Sequence, residues 1–324
     1  MPEGHVTHRL ALELTSHFAG QAVHVSSPQG RFADAAQLLD GTRLDGSQAV
    51  GKHLFVEFEA DRIVWIHLGL IGKMRFVPVD QLRSPETLRL RIEPLDVDDC
   101  QVAGTPLQVK GDAVVELPEA SSADLEESTR RVPLAVELRG PQWCRLITPD
   151  EQAAVIVKSG PDPLRADADP EQAWRKVHAA KRAIGQLLMD QAVFAGVGNI
   201  FRAEVLFRHH VDPNLPAKKL PRPVFDSMWA DLVQMMHAAV ASGQIDSVDA
   251  EYSPEAMHRP PRVDAHGGEV YVYRRAGQPC LVCGTQVAMT QMASRNLYWC
   301  PSCQPAGSMG EPIEPYAPLT EADS

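Results

Sequence analysis

The chain has 324 residues, an ordinary apolar share of 44% and a formal charge of −11, so it is long enough for more than one unit with a buried core. No run approaches the roughly 20 apolar residues that span a bilayer, and the start MPEGHVTHRLALEL lacks the basic flank and apolar stretch of a secretory signal. Membrane insertion and export are thereby argued against, and a cytoplasmic protein is expected. The acidity is uneven: residues 93 to 130 carry ten acids against two bases, and residues 304 to 324 carry four acids and no base. Setting both segments aside leaves about +1, so the remainder can still present a basic face.

Residues 2 to 18 read as a helix with Leu10, Leu12, Leu14 and Phe18 as apolar candidates, ended by Gly20. From about 21 to 92 the pattern turns to strands: AVHVSS, KHLFVEFE, IVWIHLGL and KMRFVPV. These belong to a β-rich N-terminal domain over 1–140, interrupted by an acidic insertion at 93–133 that contains SSADLEES. After the turn-rich LRGPQWC and GPDPLR come three helical stretches, PEQAWRKVHAAKRAIGQLLMDQAV, NIFRAEVLFRHHV and PVFDSMWADLVQMMHAAVASG, in a second domain over 141–269. A small module follows at 270–304, and the proline- and acid-rich residues 305–324 read as a disordered tail. The fold class is α+β.

Four of the six cysteines form two close pairs, Cys280 with Cys283 and Cys300 with Cys303, separated by sixteen residues; Cys100 and Cys144 stand apart. Two such pairs can meet as a tetrahedral four-sulfur zinc site on a β-hairpin, with no open position for water and so a structural role; redox use of the pairs is the alternative. Between two helical stretches lies Gly-Val-Gly-Asn, ending at Asn199. Asn199 is expected at the N-cap of the following helix, whose free N–H groups favour a phosphate, the alternative being a plain tight turn. At the terminus, Pro2 behind Met1 becomes a free secondary amine once the methionine is removed. Its pKa, near an α-amino value of about 8, leaves a useful fraction neutral for attack on an electrophilic carbon. Glu3 beside it can donate or relay a proton, although Pro2 and Glu3 alone would also fit an uninformative start.

Taken together, the MPEG start, the strand opening VGKHLF, the HLGL turn, LLMDQAVFAGVGNIFRAEVLF and the four-cysteine finger with Arg295 before YWCPSCQ resemble the formamidopyrimidine-DNA glycosylase/endonuclease VIII family over roughly residues 1 to 92 and 136 to 304. The resemblance implies an N-terminal helix with a β-sandwich, a helix-two-turn-helix domain and a C-terminal zinc-finger hairpin holding one structural zinc. It implies a bifunctional DNA glycosylase and AP lyase of base excision repair, a nucleoid-associated monomer acting on double-stranded DNA with oxidised bases or abasic sites. The reaction would run through a Schiff base on the N-terminal proline with β,δ-elimination. By this similarity Pro2 is the nucleophile, Glu3 the acid/base and Lys52 a contact to the lesion's backbone, while Asn199 and Arg295 grip phosphates. Two departures stand out. Val6 occupies the position of a second family glutamate, and Leu138-Arg139-Gly140-Pro141 replaces the Pro-Arg-Arg-Phe-Gly loop of formamidopyrimidine-type enzymes. The latter resembles the endonuclease VIII side, particularly its actinobacterial-type members. Leu70 and Ile71 in the HLGLIG turn read either as an apolar wedge into DNA or as strand-end core residues. Oxidised pyrimidines are the expected substrates. The alternatives are an 8-oxoguanine/formamidopyrimidine-specific glycosylase and a catalytically inactive zinc-ribbon DNA-binding protein.

Overall fold

Helix α1 (Gly4–Phe18) buries Leu10, Ala11, Leu14 and Phe18, the stripe expected of a 3.6-residue period. Leu12 lies off that stripe and is 59% exposed, so it does not join the core as its neighbours do. The computed structural model describes residues 2–82, 86–95, 133–264 and 268–318 and divides into two units. One holds Arg9–Ala49 and His53–Ala154 together with Pro2; the other holds Glu3–His8, Val50–Lys52 and the chain from Val155 onward.

In the first unit, β1 (Gln21–Ser26), helix α2 (Ala33–Leu39) and strands β2 (Arg43–Val50), β3 (His53–Phe58), β4 (Arg62–His67), β5 (Lys73–Pro78), β6 (Leu88–Pro94), β7 (Leu134–Arg139) and β8 (Trp143–Ile147) follow in order. Strand β1 serves two sheets. Gln21 and Ala22 pair with β2, whereas Val23 to Ser26 pair with β6. The first sheet continues through β3 and β4 to β8, the second through β7 to β5. Alternation along the strands brings Val23, Val25, Leu54, Val56, Val64, Ile66, Leu90, Ile92, Val136 and Leu138 into the core. Helix α2 was not expected, and strands continue beyond 92. LRGPQWC is a tight turn at Gly140 (φ +55) with paired strands on both sides, Lys73 opposite Arg139 and His67 opposite Trp143. The domain boundary expected at 140 would therefore cut β8 from β4. Apart from its ends, the acidic insertion expected at 93–133 lies outside the described residues.

Helix α3 (Pro149–Lys158), also unforeseen, leads into the second unit, where α4 (Pro170–Ala179), α5 (Ile184–Leu187), α6 (Asn199–Arg208) and α7 (Arg222–Ser242) surround an apolar core. The stretch expected as one helix from 170 to 193 breaks after Ala179. Its backbone pairs instead with residues 215–218: the Ala180 carbonyl accepts from Lys218 N at 3.0 Å and the Arg182 carbonyl from Ala217 N at 2.9 Å. All ten residues of α6 are buried, so each of its polar side chains needs an internal partner. Strands β9 (Ala288–Met292) and β10 (Arg295–Trp299) form an antiparallel hairpin. Of the expected disordered tail, 319–324 lie outside the described residues, whereas 305–318 are tied down at a few positions. Ser227 Oγ donates to the Ile313 carbonyl at 2.8 Å, Tyr316 N donates to Asp231 Oδ1 at 2.6 Å, and Tyr316 is 4% exposed. Among the described residues no helix is long and apolar enough to cross a membrane.

Candidate active site

Within the second unit, Gly4 N donates to the Gly196 carbonyl at 2.9 Å, and a Cβ on Gly4 would stand 2.7 Å from Gly196 Cα. Only glycines permit this approach, which sets Glu3 against the start of α6. Glu3 is fully buried. Its Oε1 accepts from Ile200 N at 2.8 Å and its Oε2 from Phe201 N at 3.5 Å. The free N–H groups and positive end of α6, expected to meet a phosphate, thus hold a carboxylate of the chain itself. Burial pushes the Glu3 carboxyl above its usual 4.5, against the opposing pull of Lys52 and of the two amides.

Lys52 follows the β2–β3 turn, and its Nζ donates to the Val197 carbonyl at 3.0 Å. Gln191 braces the same loop, donating to that carbonyl at 2.9 Å and accepting from Gly196 N at 3.1 Å. Burial lowers the Lys52 pKa from its usual 10.5; Glu3 opposes the shift and Arg295 adds to it. The two groups therefore stand with their protonation preferences drawn toward each other, a pattern suited to proton handling.

Asn199 is the first residue of α6, not its cap. Gly198 holds the cap position without a side-chain bond. The Asn199 Nδ2 donates to the Asn296 carbonyl at 2.9 Å and its Oδ1 accepts from the Arg202 guanidinium. Arg202 also donates to the carbonyls of Met292 and Asn296, both at 3.2 Å, so α6 and the β9–β10 hairpin are joined through one buried cation. Burial lowers the Arg202 pKa to about 10, with Glu3 opposing and Arg295 adding. Arg295, half-buried on β10, donates through Nη1 to the Ser294 carbonyl at 2.9 Å.

The four sulfurs of Cys280, Cys283, Cys300 and Cys303 lie within 4.8 Å of one another, with Cys280–Cys303 at 3.9 Å and Cys283–Cys300 at 3.4 Å. Tetrahedral zinc with bonds of about 2.3 Å sets its sulfurs about 3.8 Å apart, so the thiolates fit one structural zinc. Gln304 ties this knuckle inward, accepting from Cys300 N at 3.0 Å and donating to the Val211 carbonyl at 2.9 Å.

The structure thus gathers Glu3, Lys52, Asn199 and Arg295 into one unit. Pro2, half-buried, is joined to Glu3 by its peptide bond and falls in the other, as do Leu70 and Ile71, which are 60% and 79% exposed in the β4–β5 turn. That exposure excludes the reading of both as core residues. Sequence reasoning missed Arg202, which sits one helical turn beyond Asn199 and so shares its face. It also missed Asp162 of GPDPL, whose partners lie far away in the chain.

The sequence matches the formamidopyrimidine-DNA glycosylase N-terminal domain over residues 1–104, the formamidopyrimidine-DNA glycosylase H2TH domain over 159–250, and the zinc finger found in FPG and IleRS over 277–306. It is 40% identical over 304 residues to endonuclease 8 1 of Mycobacterium tuberculosis, covering 94% of this chain and all of that protein. A probable endonuclease 8 2 of Streptomyces coelicolor is 29% identical, with 94% of each chain covered. The fold is similar to that of Lactococcus lactis formamidopyrimidine-DNA glycosylase, crystallised with DNA containing an AP site, at a TM-score of 0.65 and 19% identity over 94% of this chain and 99% of that one.

Proposed function

The chain belongs to the formamidopyrimidine-DNA glycosylase/endonuclease VIII family of DNA repair glycosylases and AP lyases, and from that premise we propose that it excises oxidised pyrimidines from duplex DNA with the amine of Pro2 as nucleophile. The observation that carries the reading is Glu3: the residue after Pro2 is a buried carboxyl with a raised pKa, held by two helix amides beside Lys52.

In this mechanism the Pro2 nitrogen lone pair attacks C1′ of the damaged nucleotide and the C1′–N bond to the base breaks, the base leaving with the bonding pair and taking up the proton that the Pro2 nitrogen sheds, which frees that nitrogen's electrons again. The C1′–O4′ bond then opens, O4′ accepts a proton from Glu3, and the nitrogen shares its electrons with C1′ as an iminium. That iminium acidifies C2′–H. Loss of this proton expels the 3′ phosphate, and a further elimination expels the 5′ phosphate. Lys52 supplies positive charge near the reacting sugar. Asn199 keeps one Nδ2 hydrogen beyond its bond to Asn296, and Arg295 keeps donors beyond Nη1, for phosphates flanking the lesion. Zinc supplies no chemistry of its own here; its cysteines hold the hairpin that carries Arg295.

The lesion class rests on the first unit. Leu70 and Ile71 form an exposed apolar pair fit to fill the gap left by a flipped base, while the turn at Gly140 is too short to supply an Arg/Phe pair that reads an opposite cytosine. A panel of duplexes bearing thymine glycol, 5-hydroxyuracil or 8-oxoguanine opposite cytosine tests this. The pyrimidines are expected to be excised faster, with weak dependence on the opposite base, and borohydride should trap an adduct at residue 2 that is lost in Pro2→Gly. Fast 8-oxoguanine excision would overturn the lesion class; undiminished trapping by Pro2→Gly would overturn the nucleophile.

A further inference from the structure

A buried carboxylate outside the proposed chemistry ties its parts together. The Asp162 side chain is fully buried. Its Oδ2 accepts from Gly51 N at 2.7 Å and bonds His8 Nε2 at 2.7 Å, and its Oδ1 accepts from Leu164 N at 3.0 Å. Three segments thus meet on one group: the first turns of α1, five residues beyond Glu3; the turn that carries Lys52; and the GPDPL loop, which is fastened to the glycine loop where Gly160 N meets the Gln191 carbonyl at 2.8 Å and Ala195 N the Pro161 carbonyl at 3.1 Å. Gly51 has φ +58, and a Cβ there would stand 2.9 Å from Gly196 N. The turn is pressed against the glycine loop in a conformation that other residues resist.

We infer that Asp162, oriented by His8, is a positioning residue for Lys52. The lysine is held at both ends: the N–H of the preceding residue, Gly51, is fixed by Asp162, and its ammonium is fixed by the Val197 carbonyl. A bond to Val197 alone would leave the backbone under the lysine free to shift; anchoring the Gly51 amide fixes where the side chain starts, as Val197 fixes where it ends. His8 donates from Nε2 to the carboxylate, which settles the Asp162 rotamer through a bond buried on one side. This inference rests on the proposed role of Lys52.

The test is a double-mutant cycle of Asp162→Asn and Lys52→Ala, measured as kcat and KM on a thymine glycol duplex. The carboxamide introduced by Asp162→Asn would turn an N–H or a weaker acceptor toward Gly51 N. The substitution should therefore lower kcat by about 10²-fold, the scale of a 1 Å misplacement, while KM changes little. The double variant should be no slower than Lys52→Ala alone. Losses that multiply, or an Asp162→Asn defect confined to KM, would overturn the positioning role while leaving Lys52 in place; a fully active Lys52→Ala would instead remove the premise. Should Asp162→Asn not fold, His8→Ala and His8→Gln carry the same question. Glutamine keeps a donor toward Asp162 and should recover most of the kcat lost in His8→Ala, whereas equal loss in both variants overturns the inference.

Discussion

Gly198 has an ordinary extended backbone (φ −122), so its lack of a side chain matters only for space. A Cβ there would overlap Glu3 Cδ and lie 2.6 Å from Oε1. Gly198→Ala should therefore cost about 1–3 kcal/mol through overpacking, read as a lower denaturation midpoint. Activity should fall further than stability alone requires, because the carboxyl that moves is Glu3. The protonation of Glu3 has its own signature. If the neutral carboxyl is the donor, its raised pKa keeps the donor form populated at pH values above 4.5, and the rate declines as pH rises through the folded pKa. Glu3→Gln should abolish that limb in single-turnover excision, and a limb unchanged by the substitution would assign it to another group. The four zinc cysteines were legible in the sequence because their chemistry depends on short spacing. Asp162 was not: its partners Gly51 and His8 lie 111 and 154 residues away, and no local pattern encodes a contact of that range.

At the scale of elements, the same distinction separates what was read correctly from what was not. The strands of 53–58 and 62–67 announce themselves by short runs rich in β-branched and aromatic residues, and α7 by its long apolar period. The break between α4 and α5 has no such local cause, since helix-forming residues there give up helical bonds to pair with 215–218. Prolines and acids suggest disorder in the tail, whereas within its described part Tyr316 buries its ring with the Arg208 guanidinium 5.5 Å from the ring centroid. Asp231, held below the usual carboxylate range by His209 and Arg208 against the cost of burial, accepts the Tyr316 amide. Truncation after Gly310 removes that burial and strips donors from Asp231 and Ser227. It should destabilise the second unit by about 2–4 kcal/mol, measured by urea denaturation; an unchanged midpoint would show the strap to be dispensable.

For the whole molecule, a net charge of −11 makes DNA binding depend on a few well-placed cations. Arg295→Ala should weaken binding to all duplex sequences alike and reduce the slope of log K against log salt by about 0.9, one phosphate's worth. An unchanged slope would place Arg295 off the backbone. Chelation of the zinc should reproduce and exceed this loss, because Arg202 loses its acceptors on Met292 and Asn296 when the hairpin unravels.

Glu3 sits where helix α6 is most positive. In the proposed mechanism, where it gives its proton to the opened sugar, the charge left behind would form at a spot already furnished with two N–H donors and a helix end. Burial thus favours the neutral acid, while the amides at the start of α6 favour its conjugate base. On that proposal, proton transfer would need no rearrangement of the protein around the new charge, and turnover would depend on how readily solvent returns a proton to a carboxylate that α6 holds.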